Sequence, residues 1–155
     1  MKEAFDNAFQ EWKRVDHLFY VSLKYTRTVD MMKHVMERMI STLDFCMESL
    51  LKHAKESKLT GNVPSNPGLR HDLLKQLYPN DEAIINMLNL YMKLRKLLRA
   101  SYTKREEYRR HVTMTATIDN NEIVEVNIDL LKEYYDQIKA FIFYTRAKAY
   151  GEEPA

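Results

Sequence analysis

Apolar residues recur at alternating steps of three and four along the segment 29–50, and this spacing constrains the fold more than any other feature. It places them on one stripe of an α-helix, as in helices that pack side by side in a bundle. The stripe consists of Val29, Met32, Met36, Met39, Leu43, Cys46 and Leu50. Together with the stripes described next, it predicts a core that includes Trp12, Phe19, Met36, Met39, Leu43, Leu50, Leu88, Leu98, Ile138 and Phe141.

Similar spacing predicts four more helices, near 4–23, 69–78, 81–110 and 129–150. A break is expected near 24–28, where β-branched and aromatic residues are weak helix formers. Pro79 stops the helix 69–78, and Asn80 is expected to cap the next helix. The chain has only 3 Gly and 4 Pro in 155 residues, which disfavours folds that need many tight turns. We therefore predict one domain over 1–155, an all-α, four- to five-helix up-and-down bundle.

A different pattern follows the fourth predicted helix. From Val112 to Ile118, apolar residues alternate with Thr113, Thr115 and Thr117, and such alternation is typical of a half-buried strand. The run 119–121 then supplies turn residues before a second β-rich run at 123–126. The sequence thus indicates a small β-hairpin near 112–126 beside the helices.

Several chemistries lack the residues they need. A single cysteine, Cys46, excludes an internal disulfide and a zinc site built from several thiolates. Neither glycine motif that cradles phosphates is present, so we expect no cofactor. Asp30, His34 and Glu37 share a helix face, but an exposed ion pair is the commoner role of such residues, and no metal site is predicted.

Hydropathy indicates no membrane partner, and the overall charge indicates no nucleic-acid partner by itself. The sequence has no apolar stretch long enough to span a bilayer and no secretory h-region near residue 1. We expect a cytoplasmic protein, which suits the single cysteine. The net charge of +2 is too small to indicate a nucleic-acid partner by itself.

The positive charge is concentrated between residues 93 and 110. This segment has eight basic and two acidic residues, a net charge of +6, whereas the rest of the chain carries −4. Guanidinium groups pair with phosphates and tyrosine rings stack on unpaired bases, so the segment favours RNA binding. The alternative is a solvated helix face, partly neutralised by pairs such as Glu106 and Arg110. The candidate nucleic-acid-binding residues are Arg95, Arg99, Tyr102, Lys104, Tyr108, Arg109 and Arg110.

Within this segment, an arginine precedes a histidine by six positions, from Arg105 to His111. In this motif and in the order of its predicted helices, the chain resembles the HEPN superfamily (higher eukaryotes and prokaryotes nucleotide-binding domains). The resemblance covers nearly the whole chain. Members are helical bundles, and many carry Arg-x(4–6)-His at the end of the penultimate long helix. Glu106 and Thr113 differ from the residues usual beside the motif, and the hairpin is not a general feature of the family.

The resemblance implies a metal-independent endoribonuclease or toxin. His111 would act as general acid or base, and Arg105 would hold a nonbridging phosphate oxygen while the 2′-OH of the RNA attacks. Because one such pair is half a site, the resemblance implies a homodimer with both motifs in one cleft. It also implies a minimal nucleotidyltransferase as a partner protein.

Two alternatives to a ribonuclease stay open. The first is a helical module, HEPN-like or not, that binds RNA or a protein partner without catalysis, as an antitoxin-like partner would. The second is an unrelated bundle whose basic helix is only a solvated surface.

Overall fold

The computed structural model describes residues 2–150, which form five helices and a three-stranded antiparallel sheet. The helices are α1 (Lys2–His17, continued by a π-helical turn Leu18–Ser22 and a last turn Leu23–Tyr25), α2 (Val29–Glu56), α3 (Pro67–Leu77), α4 (Glu82–Arg99) and α5 (Ile128–Tyr150). The strands are β1 (Ser101–Arg105), β2 (Thr113–Ile118) and β3 (Glu122–Val126).

Helix α2 is the centre of the bundle, because it packs against α1, α3, α4 and α5. Its predicted stripe is buried throughout, and burial of Val35, Met47 and Leu51 makes the buried surface wider than one stripe. The break predicted before α2 is confirmed at 26–28. Thr28 caps the new helix, since its hydroxyl oxygen accepts a hydrogen bond from the backbone N–H of Met31 at 3.1 Å.

The predicted core is confirmed except at one position. Leu98 is only partly buried, because it lies near the end of α4 and lines a surface groove. The N-cap of α4 was also predicted one residue too early. The cap is Asp81, not Asn80, because the Asp81 carboxylate accepts the backbone N–H of Ile84 at 3.1 Å.

The predicted helix 81–110 is wrong in about its last third, since α4 ends at Arg99 and the chain turns into β1. Ala100 already has extended dihedral angles, and Ser101, Tyr102 and Thr103 favour a strand over a helix. The strand β1 pairs with β2 in register from Ser101 opposite Thr117 to Arg105 opposite Thr113. Pairing with the hairpin therefore supplies hydrogen bonds that an isolated helix end would lack.

The fold is therefore mostly helical with a small sheet, and the all-α bundle was only partly right. The predicted hairpin is confirmed as β2 and β3, joined by a short 3-10 turn at Asp119–Asn121. One face of the sheet is buried against the helices through Met114, Ala116, Val124 and Val126, while the other is largely open to solvent. Among residues 2–150, no helix combines the length and apolarity needed to cross a membrane.

Candidate nucleic-acid interface

A groove of about 800 Å³ lies where the end of α4 meets the start of β1, the end of β2 and the start of α3. Three basic side chains of α4 line it: Arg95, Lys96 and Arg99. Steps of one, three and four residues along a helix place these side chains within one sector of its surface. We call this surface the basic groove. It contains two of the residues predicted to bind nucleic acid, Arg95 and Arg99.

The three basic residues differ in how their charges are compensated. The Lys96 ammonium pairs with the Asp119 carboxylate at 2.6 Å, and both side chains are substantially exposed. Arg95 donates a hydrogen bond to the Tyr91 hydroxyl at 3.1 Å. Arg99 is exposed and forms no ion pair or side-chain hydrogen bond with any residue between 2 and 150. Of the three, only Arg99 therefore has neither an ion pair nor a side-chain hydrogen bond within the described residues.

The partly buried Asp44 lies near Arg95. Burial raises the pKa of Asp44, against the effects of a hydrogen bond from Tyr91 and the charges of Arg95 and Arg70. Burial and the neighbouring Asp44 raise the pKa of Tyr91 to about 12, so its hydroxyl stays protonated at neutral pH. The hydrogen bond to Tyr91 holds the Arg95 side chain, and the nearby Asp44 offsets part of its charge, so Arg99 is the freer cation.

The open face of the sheet runs away from the basic groove. Its side chains follow from the register: Thr103 lies opposite Thr115, which lies opposite Glu125. The face is formed by Ser101, Thr103, Arg105, Thr113, Thr115, Thr117, Ile123 and Glu125, and we call it the threonine face. Thr113 is buried at one end of this face, and Ile123 is an exposed apolar side chain on it. Ser101 and Thr117 also line the basic groove, so the two surfaces are continuous.

Arg105, one of the two predicted catalytic residues, lies on the threonine face. Its guanidinium donates to the Thr115 hydroxyl at 3.0 Å and pairs with the Glu125 carboxylate at 2.8 Å. Thr115 and Glu125 lie opposite each other on β2 and β3, so the Arg105 side chain connects all three strands. This contact compensates the charge of Arg105 within the sheet.

His111, the other predicted catalytic residue, lies in the connection between β1 and β2. It lines a pocket of about 210 Å³ with two arginines, Arg27 and Arg110, and with Thr113 and Asn127 at the start of α5. Arg105 is absent from the lining of this pocket in the described chain. The structure thus does not place Arg105 and His111 in one site within a single chain, and it brings Arg27 to the histidine instead. We call this site the arginine pocket.

The connection 106–112 presents further predicted binding residues to solvent. Glu106 and Tyr108 have positive φ angles of 55° and 68°, so the loop turns sharply. Tyr108 is 77% exposed, and Arg109 and Arg110 are exposed beside it. A tyrosine ring with this exposure is open to stacking on a base.

Tyr102 and Lys104, unlike the exposed Tyr108, lie on the face of β1 opposite to the threonine face. The Lys33 ammonium lies 4.7 Å from the centre of the Tyr102 ring, which is half-buried. Lys104 pairs with Glu107 at 3.3 Å. These two predicted binding residues are therefore engaged within the protein.

Two residues of the site were missed by sequence reasoning. Lys96 lies in the basic segment, and its spacing from Arg95 and Arg99 was a usable signal. Arg27 lies 84 positions before His111, and no local pattern connects it with the motif. Long-range contacts bring it there: Tyr108 N–H donates to the Arg27 carbonyl oxygen, and Val29 N–H donates to the Glu107 carboxylate.

Other reactive groups do not form a comparable site. Burial raises the pKa of the Cys46 thiol to about 12, so it is not a nucleophile at neutral pH. His34 and Glu37 form an exposed pair at 3.7 Å. In the part of the chain that the structure describes, no group of three or more histidine, cysteine or acidic residues is arranged to hold a metal ion.

Comparisons with known proteins supply no relative for this arrangement. No protein-family model, no curated protein and no solved structure matches the chain.

Proposed function

We propose that the protein binds single-stranded RNA along the basic groove and the threonine face. The observation that carries the proposal is the convergence of Arg95, Lys96 and Arg99 on one groove, with Arg99 left without an acidic partner among residues 2–150. Phosphate contacts of this kind supply most of the affinity of proteins that bind single strands without sequence preference.

The rest of the surface extends this groove into a path for a strand. Thr117 lies at the basic groove and Thr113 at the arginine pocket, four residues apart on β2, or about 13 Å at the rise of a strand. Hydroxyl groups of Thr103 and Thr115 lie between them and are able to donate to phosphate oxygens or accept from a 2′-OH. Tyr108, Arg109 and Arg110 then offer one stacking surface and two cations at the far end.

Single-stranded RNA fits this path better than a duplex does. Stacking on the exposed ring of Tyr108 requires an unpaired base. The threonine hydroxyls offer partners to the 2′-OH, the group that distinguishes RNA from DNA.

A second candidate function is the metal-independent cleavage of RNA that the HEPN resemblance implies. The observation in its favour is that His111 is exposed at a pocket with Arg27 and Arg110, which are able to offset the charge of a phosphate. Arg105 would have to leave Glu125, or act from the second copy of a homodimer, to join it. Binding without cleavage is the simpler proposal, because it needs neither change. A minimal nucleotidyltransferase partner stays a prediction of the resemblance.

Fluorescence anisotropy with a labelled single-stranded RNA of about 16 nucleotides tests the binding proposal. Arg99→Glu and Lys96→Glu should each weaken binding to all sequences alike, and Lys139→Glu is the matched control, since this exposed lysine of α5 lines neither the basic groove nor the arginine pocket. Affinity should fall with salt, with a log–log slope of about −0.7 per phosphate contact. Absence of binding at low salt would overturn the proposal.

The same RNA tests cleavage. If the second candidate is right, the RNA is cut in the presence of a chelator, with 2′,3′-cyclic or 3′-phosphate ends, and His111→Ala abolishes cleavage while it preserves the fold and most of the RNA affinity. Sedimentation then shows whether the active species is a dimer. RNA that is bound but stays intact assigns the protein to the binding modules.

A further inference from the structure

The arginine pocket is a small, partly enclosed cavity with a mostly polar lining and a volume of about 210 Å³. Its walls come from three separate parts of the chain: Arg27 before α2, Arg110 and His111 in the connection between β1 and β2, and Asn127 before α5. The volume suits one small group and not a chain of nucleotides.

Within the described residues, Arg27 has an unsatisfied hydrogen-bond donor at this pocket. Its Nε atom is buried and has no hydrogen-bond partner in the described part of the chain, and its guanidinium forms no ion pair there. A buried charged donor without an acceptor is costly, and proteins usually satisfy such groups. An anion in the arginine pocket would supply the missing acceptor.

The walls of the pocket are held in place without a ligand. The carbonyl oxygen of Arg27 accepts a hydrogen bond from the backbone N–H of Tyr108 at 2.6 Å. The carbonyl oxygen of His111 accepts one from the Thr113 hydroxyl at 2.8 Å. The Asn127 side chain caps α5 by accepting the backbone N–H of Leu130 at 2.8 Å. Binding therefore needs little ordering of the backbone.

The charges that face the pocket favour an anion. Arg27 and Arg110 contribute two positive charges, and Asp129, in the first turn of α5, contributes one negative charge. The N-terminal end of α5 adds a positive partial charge on the same side. The balance is positive even when His111 is neutral, and the two guanidinium groups match the several oxygens of a phosphate.

We infer that the arginine pocket binds a phosphomonoester group, held by Arg27 and Arg110 with His111 at the rim. The inference of phosphate chemistry stands on the pocket alone. Its assignment to the terminal phosphate of an RNA strand rests on the proposed function, because the threonine face leads from the basic groove to this pocket. The other source of the same chemistry is a small phosphorylated molecule or free phosphate.

Two measurements on the full chain test the inference. The first is a titration of isotope-labelled protein with inorganic phosphate, followed by NMR at the Arg27 Nε–H and His111 signals, with sodium chloride of equal ionic strength as control. The second compares the affinities of one RNA sequence with a 5′-phosphate, a 3′-phosphate or hydroxyl ends. Arg27→Met keeps the aliphatic stem, and Arg110→Gln serves as a second variant if the first does not fold. Lys139→Gln is the matched control, because Lys139 is an exposed cation of α5 that lines neither the pocket nor the basic groove.

Phosphate should shift the Arg27 and His111 signals where chloride does not, and Arg27→Met or Arg110→Gln should weaken phosphate binding about tenfold or more, since charge-assisted hydrogen bonds are lost. If one phosphorylated RNA end also binds more tightly than the hydroxyl end, and Arg27→Met removes the difference, the ligand is the end of a strand. If phosphate binds and the RNA ends make no difference, the ligand is a small phosphorylated molecule.

The failures of the two proposals are distinguishable. If RNA does not bind but phosphate still shifts Arg27, the proposed function fails and the pocket inference stands. If RNA binds through Arg99 while neither phosphate nor a phosphorylated end affects Arg27, the pocket inference is overturned and the proposed function stands. Equal shifts with phosphate and chloride would also overturn the pocket inference.

Discussion

The Glu107 carboxylate accepts a hydrogen bond from the backbone N–H of Val29, 78 residues earlier in the chain, at 2.7 Å. Val29 is the first residue of α2, so Glu107 satisfies one of the free N–H groups at the start of the central helix. The same contact fixes the connection 106–112, which carries Tyr108 and two residues of the arginine pocket, Arg110 and His111. One acidic side chain thus links the core of the bundle to the candidate interface.

Replacing Glu107 by Gln should lower the melting temperature and increase the mobility of the connection 106–112. The hydrogen bond from Val29 lowers the pKa of Glu107, with help from Lys104, so the carboxylate stabilises the fold above its unfolded pKa, and this contribution is lost as the pH falls through the lower, folded pKa. Thermal unfolding at neutral and acid pH measures the difference.

Glu106→Gln is the control for that variant, because Glu106 is an exposed neighbour of the same charge and caps no helix. Equal melting temperatures for the Glu107→Gln and Glu106→Gln proteins would show that the contact with Val29 contributes nothing.

Asp81 joins α4 to the last turns of α5. Its carboxylate accepts hydrogen bonds from the Ile84 backbone N–H and the Tyr144 hydroxyl, and it pairs with Lys148 at 3.3 Å. Partial burial raises the pKa of Asp81, but these three contacts outweigh it and lower the pKa below its usual 3.8. The stabilisation is therefore complete above about pH 4 and is lost as the pH falls through the folded pKa.

Asp81→Ala should cost about 0.5–2 kcal/mol of unfolding free energy at neutral pH, as N-cap losses do. Asp81→Asn keeps a capping oxygen and should cost less, without the acid-dependent part. Urea unfolding between neutral pH and pH 3 measures both. An Asp81→Ala protein as stable as the parent at pH 7 would contradict the role of this contact.

Leu43 tests the packing of the central helix, since it is completely buried in α2. Leu43→Ala should lower the free energy of unfolding by about 2–5 kcal/mol, because the large side chain leaves a cavity. Leu59→Ala is the matched control, because Leu59 is 58% exposed in the loop after α2. Its cost should stay within about 0.5 kcal/mol, and a similar loss for both variants would place the core elsewhere.

Tyr108 tests the stacking part of the proposed function. Tyr108→Ala should weaken binding of single-stranded RNA by about 1–3 kcal/mol, the usual contribution of one stacked base, and should affect duplex RNA less. Phe143→Ala is the control, because Phe143 is an exposed aromatic residue of α5 that lines neither the basic groove nor the arginine pocket. Anisotropy titrations of both variants make the comparison.

The helices and the hairpin could be predicted because their signals are local. The three-and-four spacing of α2 and the threonine alternation of β2 each specify one element without knowledge of the rest of the chain. The end of α4 could not be predicted in this way. The apolar stripe continues to Tyr102, and only pairing with β2, a strand that begins eight residues after β1, decides that 101–105 is a strand.

The candidate site was predictable for the same local reason and only in part. Eight basic residues close together in sequence indicated the basic groove through Arg95 and Arg99. Arg105 pairs with Glu125, and His111 shares a pocket with Arg27. Both are contacts between segments that are distant in sequence. A motif of six-residue spacing carries no information about such contacts.

The most direct test of RNA binding is a map of the bound strand on the protein. Isotope-labelled protein is titrated with single-stranded RNA at low salt, and amide shifts are followed for every residue that gives a signal. We expect shifts at 95–105, at Thr115 and Thr117, and at 108–111, and we expect them to disappear as salt is raised. Shifts confined to α1 and the first half of α5, or no shifts at low salt, would contradict the proposed function.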